Sequence, residues 1–303
     1  MRRVSGNEDG AVAVMTALLI VFLLGVAAIV IDVGMIYVER FQLQNGADAA
    51  ALAIAQDCAV GNCSQTAATA TELAGKNAND GVSGATAVIS DNNTVTVRTK
   101  TATPDGGTAV KHWLAPILGI DSTQVQAVAK ASWGSPSKAT VFPFTAPRCM
   151  FDTAPKDTEL WITSTSTCTG TGGKSLPGAF GWLDETDKKS CRASVDVDQI
   201  MTGEPGKSGP TNCNVDGSTI LLPVYDSKSG QGNNVYYSIA GFAAFKVTAH
   251  SWPNQQLSVS DCNKCTGIRG TFITLVSLAD LQTYGVEELG GDSFNAFFVT
   301  LSL

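Results

Sequence analysis

From Ala11 to Ile31 the chain runs for 21 residues without a charge, and most of them are Leu, Val, Ile or Ala. A helix rises about 1.5 Å per residue, so a run of this length reaches across a hydrocarbon core of about 30 Å. Arg2 and Arg3 precede it, while Asp32, Glu39 and Arg40 follow. Basic residues on the N-terminal side predict a cytoplasmic tail over 1–10 and an extracytoplasmic remainder, hence a single-pass protein of the cytoplasmic membrane. The alternative is a cleaved secretory signal, with Val26-Ala27-Ala28 as a passable cut site. Signal h-regions span about 7–15 residues, and this run is longer, which favours an anchor in contact with membrane lipid.

The helix is not expected to stop at the membrane. No proline interrupts Ala11 to Gln56, and six of the nine residues from Ala47 to Ala55 are alanine, the best helix former. The outer third of one long helix therefore leaves the bilayer, with Tyr37 and Phe41 as aromatic anchors near the interface. Small residues four apart, Gly46/Ala50 and Ala47/Ala51, permit a close helix approach. The approaching partner is either a second membrane helix or this chain's own ectodomain. Asp32, at the outer edge of the span, has two readings: an interface residue wetted by headgroups, or a participant in helix–helix assembly.

Several blocks here resemble a known module: Gly10-Ala11-Val12-Ala13-Val14, Leu23-Leu24-Gly25, Asp32-Val33-Gly34 with Tyr37, and Leu43-Gln44 followed by Ala47-Asp48-Ala49-Ala50-Ala51-Leu52-Ala53. Together they look like the N-terminal module of TadE/TadG-type proteins of the Flp/Tad pilus-assembly system, over about residues 8–57. The resemblance implies a single-span envelope protein that helps build, initiate or anchor a type IV-like pilus, whether as a minor pilin or as an assembly or secretion factor. It implies pilin-like or pilus-assembly partners through the helix, in homo- or hetero-oligomers, with Asp32, Gly34, Tyr37, Gly46, Ala47, Ala50 and Ala51 as the assembly candidates. A prepilin-type cut after Gly10 would want Glu where Met15 stands. Some TadG-type proteins carry a metal-binding Asp-x-Ser-x-Ser string; here Asp226-Ser227-Lys228-Ser229-Gly230 has Lys in place of a Ser, so no such metal site is expected.

Past the helix, the reading is a small α+β module over 58–137 and a mainly antiparallel β domain over 138–303. Overall this is an α+β chain behind a tail (1–10) and a helical module (11–57). Ser64 is expected to cap a second helix to Ala78. A strand follows the Asn92-Asn93 turn over 95–101, then a short amphipathic helix over 108–118 and a strand over 123–132, with a boundary at Ser135-Pro136-Ser137. In the β domain, strands are expected at Thr140–Thr145, Glu159–Thr163, Thr219–Tyr225, Tyr236–His250 (with a bulge at Gly241), Gly270–Val276 and Phe294–Leu303. Asp280–Glu287 reads as one or two helical turns.

Composition excludes several function classes. Twenty Lys+Arg against 27 Asp+Glu give a net charge of −7, the wrong sign for a nucleic-acid binder. All eight cysteines (Cys58, Cys63, Cys149, Cys168, Cys191, Cys213, Cys262, Cys265) lie on the side assigned as extracytoplasmic. An even count in oxidising surroundings favours structural disulfides, locally Cys58–Cys63 and Cys168–Cys191. Cys262-Asn263-Lys264-Cys265 has thioredoxin-like spacing, but β-rich sequence follows it and no second pair exists to complete a zinc site. Thr171-Gly172-Gly173-Lys174-Ser175 lacks the first glycine of a phosphate loop, having Cys168 there. His112 and His250 stand near no recognisable nucleophile. The acidic runs Asp184–Asp187 and Asp196–Asp198 lack the Gly-centred calcium loop.

The expectation is therefore a non-catalytic protein without cofactor or metal, working by helix packing in the membrane and protein binding by its ectodomain. The alternatives are a membrane-anchored adhesion module unrelated to a pilus and a tethered thiol–disulfide oxidoreductase.

Overall fold

A single helix, α1, runs unbroken from Asp9 to Ala59. The computed structural model describes residues 9–90, 93–154, 158–163, 168–169, 175–176, 181–183, 191–203, 213–230, 234–252, 266–274 and 285–302. They fall into two compact units: residues 1–54, 63–131 and 301–303 form the first, and 55–62 with 132–300 the second.

In the first unit α1 changes character at Asp32. From Val12 to Ile31 its large apolar side chains stand exposed, and the apolar window of the helix is unburied within the chain. From Asp32 onward a buried stripe appears: Asp32, Leu43, Gly46, Ala47, Ala50, Ala51 and Ile54. The three- and four-residue steps from Leu43 on match one face of a helix with 3.6 residues per turn. Helix α2, Thr66–Lys76, packs back on this stripe; a Cβ built on Gly46 would lie 3.0 Å from the Ala74 backbone. Ser64 does not cap α2. It lies in a 3-10 turn, Cys63–Gln65, and the N-cap position is Gln65, with no side-chain cap hydrogen bond.

The sheet of this unit starts with a hairpin, Ser83–Ser90 against Thr94–Thr101 in antiparallel register from Ser83↔Thr101 to Ser90↔Thr94. The first of these strands is one that the sequence reading passed over. Most of its residues are exposed or half-buried, so no apolar alternation marks it. Asn92 lies outside the described residues. Gln126–Gly134 follows across the sheet, and the chain's last strand, whose Leu301–Ser302 end belongs to this unit, closes the edge. Val95, Val97, Thr99 and Thr101 point inward. The Thr99 hydroxyl donates to the Leu43 carbonyl of α1 at 2.9 Å, joining sheet to helix.

In the second unit the axis is one 17-residue strand, Val235–Ser251. It pairs antiparallel with Thr219–Ser229, Gly267–Ile273 and Ile200–Gly203, and parallel with Asp292–Phe294. Two of its own residues are skipped in the pairing. Opposite Val224 and Tyr225 the register skips Ala240, and opposite Gly270 and Arg269 it skips Thr248. A bulge adds one residue and exchanges the faces of everything beyond it. Accordingly Val235, Tyr237 and Ile239 share a core with Phe242 and Ala244, odd and even residues on one face. The second bulge likewise brings Trp252 into the core of Phe245 and Val247. The first bulge falls one residue from Gly241, where the sequence marked it.

Other expectations need correction. Around Ser135-Pro136-Ser137 the strands Gln126–Gly134 and Pro136–Val141 are separated by a single residue. Val286–Leu289 is a strand rather than a helical turn, paired with Pro136–Val141; residues 280–284 lie outside the described set. Arg148–Thr153 is a short helix, α3, that no pattern announced.

Candidate functional site

The residue with the most demanding position is Asp32. A carboxylate at the end of an apolar span is costly unless its oxygens are satisfied. Here three consecutive backbone N–H groups donate to it: Trp113 at 2.9 Å, Leu114 at 3.1 Å and Ala115 at 2.6 Å. The side chain is buried, 4% exposed. Charge-assisted bonds of this kind are about twice as strong as neutral ones.

The donors sit where they do because of the loop's local chemistry. Residues 108–118 were expected to form one amphipathic helix, but the structure has a two-residue strand, Val110–Lys111, paired with Ser122–Thr123, and only a 3-10 turn over Ala115–Leu118. Pro116 explains the difference. It sits in the turn's first positions, where a missing N–H costs nothing, whereas inside a longer helix it would remove a hydrogen bond. Gly119 ends the turn with φ 80°, a left-handed conformation suited to glycine. The N–H groups left free at the start of the turn are the ones that Asp32 accepts.

An apolar cleft of about 640 Å³ lies between this loop and α1, reaching from Val21 past Phe22 and Ile29 to Ile36 on the helix, with Leu114 and Ile117 on the loop. His112 also lines it. Its backbone N–H donates to Asp121 O at 3.0 Å, and its Nε2 lies 2.8 Å from Thr123 Oγ1. Its Nδ1 is buried without a partner. The sequence expectation put His112 on a helix over 108–118 and did not mark the stretch as an apolar loop. The signal was present: His112 to Ile120 holds no Asp, Glu, Lys or Arg and is bounded by Lys111 and Asp121.

The candidate assembly residues divide. Ala47, Ala50 and Ala51 are each 0% exposed within the chain itself, and Gly46 is filled against α2. Gly34 has nothing within 4 Å of an added Cβ, and Tyr37 is 71% exposed. Only these two present an open face.

The expected Cys168–Cys191 pairing is overturned. Cys149 is bonded to Cys168 and Cys191 to Cys213, with Cα–Cα distances of 5.9 and 6.0 Å. The expected Cys168–Cys191 bond would close a separation of 191 − 168 = 23 residues, against the observed 19 and 22, so locality had no power to choose. Cys149 owes its position to α3. Cys58 and Cys63 are both disulfide-bonded. Cys262 and Cys265 lie outside the described residues, as do Thr171–Lys174 and Asp184–Asp187.

Elsewhere, Asp226 of the Asp-Ser-Lys-Ser-Gly string sits on the Thr219–Ser229 strand and accepts from Arg148 Nη1 at 3.3 Å. His250 is held by Asp216 at 2.6 Å and lies against the Trp252 ring, 5.1 Å between centroids. Asp196 accepts from the Asp198 backbone N–H and the Gln199 amide, closing a turn. Among the described residues no group of three His, Cys, Asp or Glu side chains is arranged to hold a metal ion.

Comparison with protein families bears on the helix. Residues 10–57 match the Flp pilus-assembly TadE/G-like (Tad) family. This TadE/G-like module thus ends two residues short of the end of α1 and includes Asp32 together with the buried alanine stripe. Comparison with curated proteins and with solved structures gives no match. Residues 10–57 are thus similar to a Tad pilus-assembly module, and among the described residues one helix is long and apolar enough to cross a membrane.

Proposed function

We propose that the protein is a non-catalytic, single-pass component of a Flp/Tad-type pilus assembly or secretion apparatus in the cytoplasmic membrane, with its N-terminus inside and residues 60–303 outside. The observation that carries this reading is the division of α1 within the TadE/G-like module. Its apolar part is left largely exposed by the chain, while residues 32–54 are built into the first unit. An element rigidly held at one end and bare at the other transmits the position of the ectodomain to whatever packs on the span. Pilin-like helices are the partners the module's family supplies, and the open positions Gly34 and Tyr37 are where they meet α1. The disulfide-braced second unit then offers a stable protein-binding surface.

Affinity capture of the full chain from detergent-solubilised native membranes, followed by mass spectrometry, tests the proposal. Recovery of Flp/Tad components with the wild type, reduced at least several-fold by Gly34→Leu, is the expected result. Recovery of envelope proteins without any pilus component would overturn it. Protease protection in spheroplasts checks the orientation: residues beyond α1 should be digested from outside.

A further inference from the structure

We propose that the loop from His112 to Ile120 is a second membrane contact: a wedge pinned to α1 by Asp32 that enters the outer leaflet and holds a lipid acyl chain in the cleft between itself and the span. The inference rests on the membrane reading of α1 given above and adds a site to it.

Depth comes first. Asp32 is the first charge past the apolar run, and the cleft extends from there back to Val21. Eleven residues at about 1.5 Å each place Val21 roughly 16 Å further along the helix axis. An occupant of this cleft therefore lies alongside span residues that face acyl chains, among them Phe22 and Ile29, both well exposed. The outward face of the loop has the same character. Trp113 is 78% exposed, Ile117 85% and Ile120 52%. Such a group of large apolar side chains at one tip marks an interaction surface, and it is continuous with the bare surface of the span.

A loop enters lipid only if its backbone is satisfied internally. Most of this loop's N–H groups meet that demand. Asp32 takes the N–H groups of Trp113, Leu114 and Ala115, and Pro116 has none. Ile117, Gly119 and Ile120 donate to the carbonyls of Leu114, Pro116 and Ala115. No formal charge lies between Lys111 and Asp121, and Lys111 is drawn away to Asp105 at 3.1 Å. Trp113, at the top of the wedge, is an amphipathic ring of the kind that settles at headgroup level. The buried, unpartnered Nδ1 of His112 at the polar end of the cleft suits an ester or headgroup oxygen of the same lipid. Lipid is favoured over a protein helix because the walls lie at acyl depth, are mostly large apolar side chains, and hold their two small helix residues, Gly25 and Ala28, off the four-residue spacing of a helix seam.

The test uses the full chain in vesicles of phosphatidylethanolamine and phosphatidylglycerol, with and without acyl-brominated phospholipid, which quenches tryptophan at close range. The other four tryptophans, at 133, 161, 182 and 252, are buried or half-buried, so the difference between wild type and Trp113→Phe reports position 113. The expected result is bromolipid quenching in the wild type that falls at least twofold in Trp113→Phe, and also in Asp32→Ala with flotation and far-UV spectrum retained. Equal quenching of wild type and Trp113→Phe, with the protein floating after a carbonate wash, would overturn the wedge and leave the anchor standing. A Trp113 signal shielded from both bromolipid and aqueous acrylamide would assign the surface to a protein partner and also overturn it. Failure to float would overturn the anchor and the wedge together.

Discussion

At the scale of single residues, Asp32 and the glycines of α1 carry the sharpest consequences. Replacing Asp32 with Ala leaves three N–H groups at a buried site without their acceptor. At about 1–3 kcal/mol for a buried donor left unpaired, with partial rescue by water, the first unit is expected to lose roughly 2–4 kcal/mol. Hydrogen exchange should show the amides of Trp113, Leu114 and Ala115 opening first. Asp32→Asn, keeping one acceptor oxygen, should fall between. Gly46 and Gly34 are twelve residues apart on one helix and should respond oppositely. A side chain at 46 meets the Ala74 backbone, so Gly46→Leu should destabilise by about 2–3 kcal/mol through overpacking. At 34 the space is open, and Gly34→Ala should stabilise the helix by roughly 0.5–1 kcal/mol. Thermal unfolding in detergent checks both. The Asp32 contact was half legible. The sequence showed a charge at a membrane edge that had to be satisfied. Its donors lie 81 to 83 residues away, and no periodicity links positions across such a distance.

At the scale of elements, long regular segments read well and short irregular ones did not. α1 was legible because the uncharged run from Ala11 to Ile31, the alanine-rich stretch from Ala47 to Ala55 and the absence of proline between Ala11 and Gln56 all agreed. The Val235–Ser251 strand was legible as a β-run, yet its two bulges decide which residues are core, and only pairing with neighbours sets where the register slips. The loop at 108–118 was misread because its apolar content suggested a helix, while Pro116 and Gly119 confine helical geometry to one 3-10 turn. The disulfides act on elements too. Closing loops of 19 and 22 residues stabilises by about 3 kcal/mol each in the chain-entropy model. The double variant Cys191→Ser with Cys213→Ser should therefore lower the unfolding midpoint of the second unit and leave the first unit's transition where it was. Calorimetry of the full chain would resolve the two.

At the scale of the whole molecule, the response to alkali should be set by two tyrosines in the second unit's core. Tyr225 and Tyr237 lie with ring centroids 5.0 Å apart. Burial raises both phenols, Tyr237 to about 12 and Tyr225 further, the latter with help from Tyr237's charge. An unfolded tyrosine ionises near pH 10, so the unfolded chain releases these protons first. Stability is thus whole below about pH 10 and declines as pH rises towards 12 and beyond. Absorbance titration should show these two phenols ionising together with unfolding, and Tyr237→Phe should hold the fold to higher pH. The sequence by itself determined that this chain has a long N-terminal helix apolar enough to cross a membrane and a β-rich remainder, because those follow from local length, charge and periodicity. It also carried the TadE/G-like module, a pattern confined to one helix. Tertiary structure alone decided that the alanine stripe is buried within the chain itself, which cysteines pair, and that Asp32 reaches across to a loop. These are contacts between residues far apart in sequence. Their free energy comes from burial and from matched donors and acceptors, which exist only once the chain has closed on itself.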